Sequence, residues 1–183
     1  MRYEFRLSGQ GGQGVILAAI ILAEAAMTQG YNVTQTQSYG PESRGGASKA
    51  EVVISDEEID YPKVASPDAV LVLTQEAHSK YGRSVPAGKL LVADADQVEG
   101  PWPEGARVIK APIARTAVEV TGRDLSTNVV ALGLITAATG VLDPQAVAGA
   151  VRARVPRGTE DMNLKALEAG VKAVKQAELG RCD

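Results

Sequence analysis

The sequence predicts an α/β fold in which helices cover both faces of a mixed, mostly parallel sheet. A predicted strand, a glycine loop and an apolar helix follow one another at the N-terminus, and strands alternate with helices through the middle of the chain. The region after residue 112 is helical throughout, and this order is typical of a three-layer α/β/α architecture. The 183 residues are enough for one core and contain no linker, so we expect a single domain over residues 1–183.

The N-terminal elements carry the clearest local signals. The pattern predicts a strand over 3–7, a glycine loop, a helix over 14–29, and two further strands over 31–37 and 47–54. Gly30 is well placed to end the helix in a left-handed conformation. Only a short loop, with no helix, joins the second and third strands. We therefore expect these two strands to be antiparallel where they adjoin, because a parallel crossover needs a dozen or more residues.

The rest of the chain continues the alternation and then becomes helical. The apolar run AVLVL at 69–73 is typical of a central strand that is covered on both faces. We predict further strands over 90–93 and 107–109, a short helix over 75–81, and longer helices over 113–121, 127–139, 144–154 and 160–178. Asp143 is a suitable N-cap, with Pro144 in the first helical position.

Composition excludes several classes of protein. Apolar residues make up 45% and charged residues 22%, which is ordinary for a globular domain, and the net charge of −3 gives no reason to expect nucleic acid or an anionic membrane as partner. The longest apolar run, Val15 to Ala23, is too short to span a bilayer. Cys182 is the single cysteine, so no intrachain disulfide, iron–sulfur cluster or structural zinc site can form on this chain alone. We expect a reducing, cytoplasmic setting.

The glycine loop fits the spacing G-x-G-x-x-G, which suggests a Rossmann-like dinucleotide fold. Gly9, Gly11 and Gly14 supply the spacing, and Gly12 is an additional glycine. Such a loop brings the helix N-terminus and its free N–H groups close to an anion. However, binding of NAD(P) also needs an acidic or basic residue after the second strand, and neither occurs between Thr28 and Pro41. No Walker lysine follows the loop. The alternative is that the glycines serve only to let the strand and the helix pack tightly.

A second unusual loop, SYGPESRGG, follows the second strand. Arg44 lies beside Gly45 and Gly46, and a fixed cation next to donor-rich backbone suits a phosphate or carboxylate. Glu42 could pair with Arg44. The alternative is a rigid surface loop with a solvated ion pair. Because both loops follow strands, we expect them at one edge of the sheet, where together they would form a glycine-lined surface that favours anions.

The remaining polar residues do not form a catalytic set or a metal site. We predict that His78 lies on a helix surface, and that Asp94 and Asp96 form a turn or helix cap. Asn128 and Asn163 stand at predicted helix starts, where capping is the simplest role. No catalytic residue is assigned.

Four blocks resemble one family over nearly the whole chain. They are GQGGQG, SYGPESRGGASKAEVVISDEEIDYP, NVVALG and MNLKALEAG. In order and spacing they resemble the corresponding blocks of the gamma subunits of the 2-oxoacid:ferredoxin (acceptor) oxidoreductases. The sequence around the second block is most similar to the 2-oxoglutarate branch. The pyruvate and branched-chain versions share the core pattern and stay open as alternatives.

The resemblance implies a non-redox component of a larger enzyme that is inactive alone. The alpha and beta subunits would hold thiamine diphosphate, beta or a small delta subunit would hold the iron–sulfur clusters, and ferredoxin would accept the electrons. This chain would contribute to coenzyme A binding and active-site closure. The residues that match the family's blocks are Gly9, Gly11, Gly12, Gln13, Gly14, Tyr39, Gly40, Pro41, Glu42, Arg44, Gly45 and Gly46. An independent NAD(P)-dependent enzyme and a scaffold without coenzyme A contacts are the other hypotheses.

Overall fold

The structure, a computed structural model, describes residues 1–38 and 47–179. Its strands are β1 (Arg2–Gln10), β2 (Asn32–Ser38), β3 (Ala47–Ser55), β4 (Ala69–Val72), β5 (Leu90–Asp94) and β6 (Arg107–Ala111). Its helices are α1 (Val15–Thr28), α2 (Gln75–Ala77), α3 (Ile113–Thr121), α4 (Thr127–Thr139), α5 (Pro144–Arg154) and α6 (Glu160–Leu179). A π-helical turn, His78–Gly82, continues α2, and a 3-10 turn, Asp124–Ser126, precedes α4.

The strands form one sheet in the order β2-β3-β1-β4-β5-β6. β1, β4, β5 and β6 are parallel neighbours, whereas β3 is antiparallel to both β1 and β2. The predicted α/β class, the mixed sheet and the antiparallel pairing of the second and third strands are therefore confirmed. β1 is longer than its sequence pattern predicts because it pairs with β3 along its whole length, from Arg2 opposite Ser55 to Gln10 opposite Ala47.

The larger core lies on the first face of the sheet, beneath α1, α3, α4, α5 and α6. Phe5, Leu7 and Leu71 point into it from the central strands and are fully buried or nearly so. α1 is apolar on almost every side because the sheet lies below it and α4 and α5 pack beside it. Gly30 has φ +82° directly after this helix, as predicted for its C-terminal signal.

The second face is covered more thinly. Val70, Val72 and Leu91 form a smaller core there with Ala77 of α2 and residues of the connections that follow it. Beyond β4, towards β3 and β2, this face is polar, and backbone groups of the connection between β3 and β4 cover part of it. Glu4 accepts hydrogen bonds from the backbone N–H groups of Ala65 and Ser66 at 2.9 and 3.0 Å. Helices thus pack mostly on one side, and the second face carries α2 with its π turn together with loops, so the outer layer there is thinner than the predicted three-layer α/β/α arrangement implies.

Two glycines let α4 and α6 pack with their backbones in contact. A Cβ added to Gly133 would lie 2.1 Å from the carbonyl oxygen of Leu167, and one added to Gly170 would lie 2.0 Å from that of Val130. Real Cβ atoms do not approach backbone oxygen so closely, so a side chain at either position would force the helices apart. The contact holds the C-terminal helix against the main core.

We predict that Gly133→Ala lowers the free energy of unfolding by about 2–3 kcal/mol, because the clash is with backbone and cannot be relieved by a rotamer change. Gly149→Ala is the matched control: Gly149 is exposed on α5, and a Cβ there meets no atom of the described residues within 4 Å. This control should stabilise the protein slightly, since alanine favours helix over glycine. Urea denaturation of both variants measures the difference, and equal midpoints would contradict the role of close helix packing.

Candidate functional site

The connections after β1 and β4 leave the sheet on opposite faces. β1 leads into α1 on the first face, and β4 leads into α2 on the second, while the two strands are parallel neighbours with Leu7 opposite Leu71. In parallel α/β sheets a crevice opens at such a point, outside the carboxyl ends of the strands, and ligands bind there. The glycine loop forms the wall of this crevice on the first face, and α2 with its π turn forms the wall on the second.

The glycine loop makes the turn from β1 to α1 in four residues, Gly11–Gly14. The Gln13 backbone N–H donates to the Gln10 carbonyl at 3.1 Å, and the Gln13 side-chain Oε1 accepts from the Gln10 N–H at 2.7 Å. Gln13 therefore closes the turn with both its backbone and its side chain. Gly12 and Gly14 have φ values of +95° and +73°, which a residue with a Cβ adopts only at a cost.

The space that a Cβ would find differs between the glycines of the loop. A Cβ on Gly9 would lie 2.5 Å from Gln13 Oε1, the acceptor that closes the turn, and 3.2 Å from side-chain atoms of both Leu73 and Val15, so this position is crowded. A Cβ on Gly14 would lie 2.7 Å from the Asn128 amide nitrogen. Gly11 is exposed, has no left-handed φ, and a Cβ there would meet nothing within 4 Å among residues 1–38 and 47–179. That part of the fold gives no reason for a glycine at this position.

The N-terminus of α1 suits an anion. Its N-cap is Gly14, which has no side chain to accept from the first turn, and the first turn contains no acidic residue. The N–H groups at a helix start and the positive end of the helix dipole then favour the binding of a negative group at this end of the helix. The geometry confirms that the predicted strand, glycine loop and helix join at one edge of the sheet.

Asn128 and Asn163 have roles that their sequence positions did not reveal. The Asn128 amide Nδ2 donates to the Gly14 carbonyl at 3.3 Å, so it ties the start of α4 to the glycine loop rather than capping its own helix. Asn163 lies within α6, where its Nδ2 donates to the Thr159 carbonyl at 3.0 Å and its Oδ1 accepts from Ser126 at 3.3 Å. The capping predictions are wrong because Ser126 holds the N-cap position of α4 and Asn163 is the fourth residue of α6.

The second wall of the crevice is built on α2. Thr74 caps this short helix by accepting from the Ala77 N–H at 3.2 Å, and Glu76 accepts from the Ala47 N–H at 3.2 Å. Glu76 thereby joins α2 to the start of β3. The predicted short helix over 75–81 corresponds to α2 and its π turn.

His78 is buried, and its predicted position on a helix surface is wrong. The side chain is fully buried, its Nε2 lies 3.0 Å from the Pro101 carbonyl oxygen, and its ring lies 5.2 Å from that of Trp102. The π turn brings this face of the helix onto the sheet. His78 is therefore part of the packing between α2 and the connection after β5, and it does not face the crevice.

The carboxylate at the end of β5 is structural, as predicted. Asp94 accepts from the Asp96 N–H at 3.0 Å and from the Ala114 N–H in the first turn of α3 at 2.9 Å. Burial raises its pKa above the ordinary aspartate value despite these two donors. A polar cleft of about 580 Å³ lies nearby, next to Gln75, and its Asp96 and Glu99 side chains disfavour an anionic ligand. The glycine loop is therefore the better anion site at this edge.

Seven of the predicted site residues lie outside the described residues. They are Tyr39, Gly40, Pro41, Glu42, Arg44, Gly45 and Gly46. Within residues 1–38 and 47–179, no group of three histidine, cysteine, aspartate or glutamate side chains could hold a metal ion. No helix in that part of the chain is both long and apolar enough to cross a membrane.

The fold and the loop define a Rossmann-like domain with an anion-favouring glycine loop at its topological switch point. The chain belongs to the pyruvate ferredoxin/flavodoxin oxidoreductase family, whose sequence model matches residues 4–173. It is similar to the 2-oxoglutarate synthase subunit KorC of Methanothermobacter marburgensis, with 45% identity over 185 residues that cover 97% of this chain and 100% of that one.

Two solved structures share the fold. The gamma subunit of a keto/oxoacid ferredoxin oxidoreductase from Geobacter sulfurreducens is 43% identical, with a TM-score of 0.87 over 97% of this chain and 98% of that one. The 2-oxoglutarate:ferredoxin oxidoreductase from Magnetococcus marinus, solved with 2-oxoglutarate, coenzyme A and succinyl-CoA bound, matches at 23% identity with a TM-score of 0.87. That match covers 96% of this chain and 31% of the longer one.

The glycines of the loop should separate into two kinds when each is replaced by alanine. Gly14→Ala should lower the free energy of unfolding by about 2 kcal/mol, because it requires a left-handed residue and displaces Asn128. Gly11→Ala should leave stability within about 0.5 kcal/mol of the wild type, since nothing in the described fold opposes the added methyl group. Thermal and urea unfolding measure both effects. A strongly destabilised Gly11→Ala protein would show that Gly11 has an internal structural role.

Proposed function

We propose that this chain is the gamma subunit of a multi-subunit oxidoreductase that converts 2-oxoglutarate to succinyl-CoA, with release of CO2 and reduction of ferredoxin. The 45% identity to a 2-oxoglutarate synthase subunit over its full length supports this substrate. The 43% identity to a gamma subunit over almost the same span supports the role within the complex. Pyruvate and branched-chain 2-oxoacids are the alternative substrates.

The part assigned to this chain is to hold coenzyme A at the glycine loop. Coenzyme A is a substrate whose thiol accepts the acyl group, and its phosphates are the anions that the start of α1 favours. Gly11 carries the proposal, because it is an exposed glycine that the described fold does not need. A glycine at such a position is explained by a ligand that approaches the backbone closely.

The remaining cofactors belong to other subunits in this proposal. The alpha and beta subunits hold thiamine diphosphate, and beta or a delta subunit holds the iron–sulfur clusters that reduce ferredoxin. The single cysteine of this chain supports that division, since one thiolate cannot ligate a cluster. Tyr39, Gly40, Pro41, Glu42, Arg44, Gly45 and Gly46 are assigned to the same coenzyme A surface or to its contact with a neighbouring subunit.

Gly11→Ala tests the coenzyme A role in the assembled complex. A methyl group between the ligand and the backbone should raise the KM for coenzyme A about tenfold, equal to about 1.4 kcal/mol of binding. Assembly, followed by size-exclusion chromatography, should not change. The KM is measured from viologen-dye reduction with 2-oxoglutarate, and Gly149→Ala serves as the control glycine. An unchanged KM together with weaker assembly would favour the scaffold hypothesis instead.

The NAD(P) hypothesis predicts that the isolated chain binds NADH, whereas the coenzyme A proposal predicts that it does not. We expect no saturable binding when NADH fluorescence is followed during titration with the protein, because β2 ends without the acidic residue that holds the ribose hydroxyls. Gly14→Ala provides the comparison variant, since a real nucleotide site at this loop would be weakened by it. Saturable NADH binding that Gly14→Ala abolishes would replace the coenzyme A proposal.

A further inference from the structure

A cluster of cations surrounds one aromatic ring on the second face of the sheet. The Tyr81 ring centroid lies 5.8 Å from the Arg6 guanidinium carbon, 5.8 Å from Lys49 Nζ and 5.6 Å from Lys80 Nζ. Glu51 lies among them, and its Oε1 is 2.7 Å from Arg6 Nε and 3.1 Å from Lys49 Nζ. We call these five residues the Tyr81 cluster.

The Tyr81 cluster carries more positive than negative charge. Among these five residues, three cations face one carboxylate. Arg6 and Lys49 are largely buried, with side chains 17% and 24% exposed, and they share Glu51, so one of these two charges has no carboxylate within the cluster. Lys80 is exposed and forms no ion pair with any residue in the described ranges. A partly buried cation without a counter-charge is costly, and an added anion lowers that cost.

The Tyr81 cluster lies close to the crevice described above. Lys49 is opposite Ser8 in the β1–β3 pairing, two residues before β1 ends at Gln10. Two residues of strand correspond to about 7 Å. Lys80 and Tyr81 belong to the π turn that continues α2, the wall of the crevice opposite the glycine loop. Arg6, opposite Glu51, lies four residues before the end of β1. An elongated ligand that passes from the glycine loop onto the second face therefore meets Lys49 before it meets Arg6.

We propose that the Tyr81 cluster binds the 3′-phosphate of coenzyme A while the diphosphate lies at the glycine loop. This inference rests on the proposed function. A phosphate monoester carries about −1.5 to −2 charges at pH 7 and offers three oxygens, which matches the charge excess and the three cationic heads. The diphosphate carries one negative charge on each of its two linked phosphates, which suits the narrow, side-chain-free turn at Gly11.

Dephospho-coenzyme A, which lacks the 3′-phosphate, isolates this contact. In the assembled complex, the wild type should have a lower KM for coenzyme A than for dephospho-coenzyme A. Lys80→Met should raise the KM for coenzyme A about tenfold and leave that for dephospho-coenzyme A unchanged, so that the preference disappears. Lys49→Met should have the same effect. Lys175→Met, an exposed lysine on α6, is the control and should keep the preference.

The two proposals fail in different ways. A wild-type complex without any preference for coenzyme A would overturn the Tyr81 cluster as a phosphate site. So would Lys80→Met and Lys49→Met complexes that assemble and keep the wild-type ratio of the two KM values. If Gly11→Ala still raises both KM values in that case, the glycine loop retains its role. If Gly11→Ala also has no effect, the coenzyme A proposal fails as a whole.

Discussion

The tight packing around Gly9 shapes the turn from β1 into α1. A Cβ at this position would lie 2.5 Å from Gln13 Oε1 and 3.2 Å from side-chain atoms of Leu73 and Val15, so glycine leaves the Gln13 side chain free to close the turn on the Gln10 N–H. α1 therefore begins only five residues after β1 ends. Asn128 then fixes α4 to the same turn through the Gly14 carbonyl. A longer or bulkier connection would move both helix starts away from the crevice.

The antiparallel direction of β3 determines at which edge of the sheet the segment between β2 and β3 begins and ends. β2 runs towards the same edge as β1 and ends there at Ser38, opposite Lys49, while β3 begins there at Ala47, opposite Gln10. Ala47 therefore lies beside the end of β1, and Ser38 lies one strand further out at the same edge of the sheet. Glu76 holds the Ala47 end of this segment through the Ala47 N–H. This arrangement supports the expectation that the two blocks of the sequence act at one edge.

Local signals in the sequence were sufficient for most of the fold. The alternation of apolar and polar residues, together with the positions of glycine and proline, predicted all six strands and the order of the helices. These signals suffice because each strand or helix depends on a few neighbouring residues. The glycine loop was predictable for the same reason. The burial of His78 was not, since it depends on a π turn and on the distant Pro101. Asn128 resembles a capping residue in the sequence, and only its tertiary position relative to Gly14 shows otherwise.

The contact between α4 and α6 is another feature that local sequence signals could not predict. Gly133 and Gly170 lie in different helices, and nothing near either of them in the sequence indicates that their backbones meet. The Tyr81 cluster is assembled from β1, β3 and the π turn, and its members are separated by up to 75 positions, from Arg6 to Tyr81. Its charge excess exists only once the sheet has brought these elements together. Long-range pairs of this kind are a property of the topology.

The polar groups at this edge divide into those that hold the fold and those that remain available to a ligand. Asp94 already accepts two backbone hydrogen bonds, Glu51 pairs with two cations, and Asn128 is committed to Gly14. What the described residues leave available is donor-rich backbone at Gly11 and the excess positive charge of the Tyr81 cluster. Such groups bind and orient an anion, but they neither transfer protons nor attack a carbonyl carbon. Within the described residues, the groups at this edge therefore suit the binding of an anion.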